Sequence, residues 1–138
     1  MASNCIFCRI AGGEIPSAAV YEDEYFKAIM DIAPAAKGHI LILPKKHSDN
    51  LLELDSESAA RLLAVAQKIA KAQMEELKCD GINLLQNNGE AAGQTVNHFH
   101  IHLIPRYKSD QVKISWQQGA YADGEAAGLA EKIAKRIN

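Results

Sequence analysis

The sequence predicts an α+β domain: a mostly antiparallel five-stranded sheet with one long helix and a shorter C-terminal helix. Two observations carry this expectation. Five short runs rich in β-formers, AAVYED, FKAIMD, HILILP, INLLQN and HFHIHLIP, are set apart by turn and loop residues. Between the third and fourth, Leu62, Val65, Ala66, Ile69, Met74 and Leu77 recur at near-helical spacing, the mark of one amphipathic helix.

Taken in order, CIFCRIAGGEIP reads as a short helical turn ended by Gly12 and Gly13. AAVYED and FKAIMD then alternate as a hairpin around Glu22 to Glu24. HILILP, entered through Lys37 and Gly38 and closed by Pro44, reads as a buried strand. The long helix runs from about Asp55 to Lys78, with Asp55 or Ser56 as N-cap and Gly81 just past its end. INLLQN and HFHIHLIP follow as two strands separated by the loop NGEAAGQT. GEAAGLAEKIAKRI closes the chain as a short helix, its basic residues in the last turns where they suit the helix dipole.

At 138 residues the chain is expected to be one domain, 1–138, of ordinary composition, 48% hydrophobic and 23% charged. No apolar run approaches the ~20 residues that span a bilayer. A formal charge of −2, with Lys and Arg scattered among Asp and Glu, gives no footprint for a nucleic-acid duplex or an anionic membrane. The start MASNCIFCRI does not read as a secretory signal, and three cysteines without an export signal point to a reducing compartment, the cytoplasm.

Three of the five histidines, His98, His100 and His102, stand on alternate positions, with Phe99, Ile101 and Leu103 between and after them. On a strand this puts the imidazoles on one face and the apolar groups on the other. A solvent face, a metal face and covalent catalysis at phosphorus are all readings of such a row. The last is favoured for His100, because neutral imidazole is a competent nucleophile near pH 7 and neighbouring imidazoles can move protons. The loop NNGEAAGQTV adds small residues whose N–H groups can approach an anion, with Gln94 and Thr95 as side-chain donors. CIFC is a lone Cys-x-x-Cys pair; zinc, redox chemistry and two buried thiols all remain open from it alone. Cys79 reads as a buried or edge thiol with no role.

HFHIHLI, the GQTV just before it and DIAPAAKGHILILPKKH together resemble the histidine triad family, in its Hint branch, over about residues 5–106. The resemblance implies the HIT-like fold and a nucleotide hydrolase or nucleotidyl transferase acting at the α-phosphate of purine nucleotides, AMP or GMP conjugates, as an adenosine phosphoramidase does. It puts the nucleophile on His100, which would carry a covalent nucleotidyl intermediate. It gives phosphate and leaving-group contacts to His102, and makes His39 and His98 the remaining histidines of the catalytic group. Asp31 would take the ribose hydroxyls, Asn87, Gly93, Gln94 and Thr95 the nucleotide and its phosphate, and Ile6, Phe7, Ile10 and Ile32 the base. Thr95 stands where relatives often carry Ser, which keeps the hydroxyl. Zinc-bearing bacterial relatives imply a closed, structural zinc site of Cys5, Cys8, His47 and His98, with no metal needed for the chemistry. The family also implies a homodimer formed by sheet extension and the long helix. Two rivals stand beside this: a dinucleoside polyphosphate hydrolase, and a non-catalytic, zinc-stabilised nucleotide-binding module. The C-terminal extension, 109–138, departs from the pattern, and Trp116 is expected to pack on its own sheet rather than to cover a partner's site.

Overall fold

The computed structural model describes residues 4–137; residues 1–3 and 138 of the expected domain lie outside it. Strands β1 (Ala19–Glu22), β2 (Phe26–Met30), β3 (Ile40–Pro44), β4 (Gly81–Leu85) and β5 (Ile101–Arg106) form one sheet in the order β1-β2-β3-β5-β4. Every neighbouring pair is antiparallel. The helices are α1 (Ile6–Ala11), α2 (Ser56–Leu77) and α3 (Glu125–Ala134).

β3 is buried along its whole length, as an uninterrupted apolar run at the middle of a sheet covered on both faces should be. Ile40 and Ile42 face α2, where Phe26, Ala28, Phe99, Ile101 and Leu103 close a core with Leu62, Val65, Ala66 and Ile69. Leu41 and Leu43 face the other way and pack with Ile29 and Ile10 of α1. β5 pairs with β3 in the register Leu41↔His102, so His102 belongs to the α1 face while Ile101 and Leu103 anchor the strand to α2. The expected division of the histidine row into one polar and one apolar side holds.

Local chemistry sets the boundaries. In the β1–β2 turn Asp23 accepts from the N–H groups of Tyr25 and Phe26 at 2.7 and 2.8 Å, an Asx-type turn. Asp55 caps α2 by accepting from Ser58 N–H at 3.2 Å. At the other end Lys78, not Gly81, takes the left-handed cap at φ 52°, donating its N–H to Met74 O, and Gly81 opens β4 instead. Gln73 on α2 is buried and spends its amide hydrogens on Gly38 O and Leu103 O, tying the helix to the sheet.

β5 starts at Ile101, three residues later than HFHIHLIP suggests. The ladders with β3 and β4 reach no further than Ile101 and His102, the Phe99 N–H goes to Ser48 O, and the His98 carbonyl is taken by a side chain. Two short 3-10 turns, Leu51–Glu53 and Glu90–Ala92, were not expected; three residues are too few for a periodic signal. Trp116 corrects the sequence expectation: it does not pack on the sheet but is 80% exposed. Arg106 explains the departure. It grips Asp110 at 2.9 and 3.0 Å, Val112 O at 2.9 Å and Asn83, fixing the chain only as far as Val112. Residues 115–137 are exposed throughout, α3 included.

Candidate functional site

Two polar clusters lie on either side of His100 on the α1 face of the sheet. The first joins α1 to the chain segments after β3 and before β5. Cys5 and Cys8 bring their Sγ atoms to 3.4 and 3.5 Å from His98 Nδ1, Cys8 Sγ lies 3.2 Å from His47 Nδ1, and the two Nδ1 atoms are 3.2 Å apart. The outer ring atoms decide what faces inward. His98 Nε2 is 2.9 Å from the Pro44 carbonyl, an acceptor only, and His47 Nε2 is 2.9 Å from the Asp49 carboxylate. Each Nε2 therefore carries the proton, and both Nδ1 atoms turn bare lone pairs toward each other.

Lone pairs facing at that distance repel unless a cation lies between them. A tetrahedral ion with Zn–N ~2.0–2.1 Å and Zn–S ~2.3 Å spaces its ligand atoms by roughly 3.3–3.8 Å, close to the spacings here. Burial and the neighbouring Cys5 push the Cys8 thiol up to about 11, so two thiolates side by side also call for a cation. The four donors thus fit zinc, with Asp49 and Pro44 O as the outer partners that fix ring orientation.

The second cluster, Asp31, His39 and His102, has a similar inventory and the opposite wiring. Ala35 N–H donates to His39 Nδ1 at 3.0 Å, so the proton of His39 sits on Nε2. From there it points at His102 Nδ1, 3.0 Å away, and His102 in turn carries its proton on Nε2. A metal on His39 Nε2 would force a proton onto Nδ1, against the Ala35 N–H. This cluster is a proton row, not a metal cage. Burial lowers the pKa of both rings, His102 to about 4 with neighbouring His100 and His39 adding to the effect, while Asp31, 3.5 Å from His39 Nε2, pulls the other way.

His100 stands between the two. Its Nδ1 donates to the His98 carbonyl at 2.7 Å, which leaves the lone pair on Nε2, the form of imidazole that attacks an electrophile. His102 lies with its ring centre 5.0 Å away on one side and Phe7 at 5.0 Å, edge-on, on the other.

The remaining expected residues divide. Asp31 has one oxygen on Ala33 N–H at 2.9 Å, with acceptor capacity to spare. Gly93 takes φ 95°, which suits glycine, and a Cβ placed there would lie 3.6 Å from the Asn87 amide nitrogen; Thr95 is exposed. Gln94 corrects the sequence reading, because its side chain is no donor to a phosphate. Its Oε1 accepts from Gly89 N–H at 2.7 Å and its Nε2 donates to Asp49 O and Val96 O at 2.6 and 3.0 Å, so it staples the loop together. Ile6 and Ile32 are open to solvent, 49% and 100% exposed, and Phe7 is half-buried. Ile10 is buried with Ile29, Leu41 and Leu43, because its side of α1 faces the sheet. Cys79 is buried, 3.4 Å from Met74 Sδ. Asp49 and the Ala35 N–H were missed; the first stands two residues from His47 and could have been suspected, the second is backbone and leaves no sequence signal.

A five-stranded antiparallel sheet with a long helix on one face and a row of imidazoles on the other defines a class, and the comparisons agree with it. The chain belongs to the HIT family, whose domain matches residues 12–109. Protein SMU.412c of Streptococcus mutans UA159 has a crystal structure that is 46% identical, with a TM-score of 0.95, over 100% of this chain and 88% of that one. Adenosine 5'-monophosphoramidase of Schizosaccharomyces pombe is 37% identical over 97% of this chain and 98% of its own. A zinc-bound histidine triad family protein of Mycobacterium smegmatis is 38% identical, with a TM-score of 0.74, over 95% of this chain and 96% of that one.

Proposed function

We propose that the protein hydrolyses purine nucleoside phosphoramidates at the α-phosphorus through a nucleotidyl-His100 intermediate. The observation that carries this reading is the wiring of His100: Nδ1 is committed to the His98 carbonyl, and Nε2 is bare beside the proton row. His100 Nε2 forms a bond to phosphorus as the phosphorus–nitrogen bond of the substrate breaks. The leaving nitrogen takes a proton from the row ending at His102 Nε2 and departs as the amine. Water then adds its hydroxyl to phosphorus, frees His100 and returns a proton to the row, so the net reaction is hydrolysis to nucleoside monophosphate and amine. Asp31 holds the ribose hydroxyls, Asn87, Gly93 and Thr95 the phosphate side, and Ile6, Phe7 and Ile32 the base. Zinc, held by Cys5, Cys8, His47 and His98, fastens α1 to the sheet and takes no part in bond making. Thiolate ligands of this kind suit the reducing cytoplasm.

The working unit in this proposal is a homodimer. β4 is an edge strand, and beside it the exposed Leu63 and Leu84 rim an apolar depression of about 290 Å³ lined also by Ala70 and Ile82, a surface suited to a second copy. Residues 115–137, which their own domain leaves uncovered, are free to reach that copy.

The test is hydrolysis of adenosine phosphoramidate by wild type and His100→Asn, with intact mass read for a nucleotidylated chain. Loss of about a thousandfold or more in turnover, and loss of the adduct, is expected of a missing nucleophile. Undiminished hydrolysis by the variant removes His100 from the role.

A further inference from the structure

The zinc-type cluster and His100 share parts. His98 gives its ring to the cluster and its carbonyl to His100, at 2.7 Å. Phe7, between Cys5 and Cys8 in sequence, stands edge-on to both rings, 6.0 Å from His98 and 5.0 Å from His100, each at 82°. The acceptor that fixes the His100 proton and the aromatic edge that supports its ring therefore both come from chain that the cluster pins. The loop is tied in as well: Asp49 accepts from His47 through its carboxylate and from Gln94 through its carbonyl.

We propose that the four metal ligands form the positioning shell of His100, with Phe7 as a positioning residue, so that filling the cluster aims Nε2 and emptying it leaves a folded protein with a misdirected nucleophile. The proposal rests on the reading of His100 as nucleophile. Without the metal the four donors lose the ion that would tie them together, and the opposed Nδ1 lone pairs, 3.2 Å apart, leave the His47 and His98 rings to part or to share a proton. His98 carries on its own backbone the carbonyl that orders His100, so a displacement of the residue reaches that acceptor, and α1 cannot shift without moving Phe7. The fold is expected to survive, because the main core lies on the other face of the sheet and contains none of the four ligands.

Ring-nitrogen NMR and single-turnover labelling test this on the full chain, zinc-loaded and then stripped with a chelator. In the loaded protein His100 is expected as a single tautomer protonated on Nδ1. In the stripped protein it is expected as a mixture, with unchanged far-UV circular dichroism and with transfer of AMP from adenosine phosphoramidate to His100 slowed about ten- to a hundredfold, as small misplacements of reacting groups do. Zinc added back restores both readouts. A single tautomer and undiminished transfer in the stripped protein overturn the proposal. Should stripping unfold the chain, zinc-loaded Phe7→Leu decides: transfer at saturating substrate is expected to slow by about tenfold, a larger change than that in the half-saturating concentration, and a wild-type rate overturns it. If loaded wild type forms no adduct at all, the nucleophile reading falls, while the ring spectra of wild type and Phe7→Leu still decide the positioning.

Discussion

His102 and His98 differ less in sequence than in what holds their outer nitrogens. One receives a proton from a neighbouring ring and the other gives its proton to a carbonyl, and this alone separates a relay from a ligand. Burial holds the pKa of His102 near 4, against 6.5 for the free side chain. As pH falls below about 6.5 the unfolded chain binds a proton that the folded chain refuses, so the stability present above that value is lost progressively toward pH 4. His39 acts in the same direction. His102→Asn is expected to flatten the fall of the urea midpoint between about pH 7 and pH 4.5, and parallel curves for variant and wild type refute the assignment. At this scale the side chains that the structure gathers were legible and their wiring was not. The three imidazoles and the Cys-x-x-Cys pair are visible in the string, but tautomers depend on Pro44 O, Ala35 N–H and the His98 carbonyl, and backbone groups carry no letter.

Secondary structure was read well wherever burial imposes a period, as in β3 and α2, and less well where a single contact ends an element. β5 loses its first three expected residues because its ladders end at Ile42↔Ile101 and Leu85↔His102, β4 stopping there while β3 runs on to Pro44 paired with β2 alone. The cap of α2 is Lys78 rather than the nearby glycine because Gly81 is needed at the start of the Gly81↔Arg106 ladder. The N-terminal cap was legible: Asp55 precedes the helix, accepts from Ser58 and also meets Lys46 Nζ at 3.1 Å. Its exposed ion pair is worth little beside the cap itself. Asp55→Ala is expected to lower unfolding stability by about 1 kcal/mol with turnover unchanged, by chemical denaturation alongside an activity assay. A change below about 0.3 kcal/mol shows the cap to be idle.

For the whole molecule, the sequence conveyed the division of the sheet into a packed and a chemical face. It could not convey where the last half of the extension goes, since GEAAGLAEKIAKRI has a helix's pattern whether or not anything covers it. A helix of ten residues with no buried side chain has little reason to persist alone in water, and in the proposed homodimer a second copy covers it. On the proposed homodimer, Leu84→Arg at the free edge of β4 is expected to shift the protein from dimer to monomer by sedimentation or light scattering. A dimer that tolerates this change places the contact elsewhere.

The uncovered arm then becomes a clock for assembly. Trp116 and Tyr121 stand in open chain, where chymotrypsin can cut without disturbing a single strand. A cut there severs α3 and spares the sheet. If the partner shelters this stretch, nicking is slow in concentrated protein, hastens on dilution and is fastest in Leu84→Arg, so the rate of appearance of one shortened band measures how much of the protein is paired at any moment.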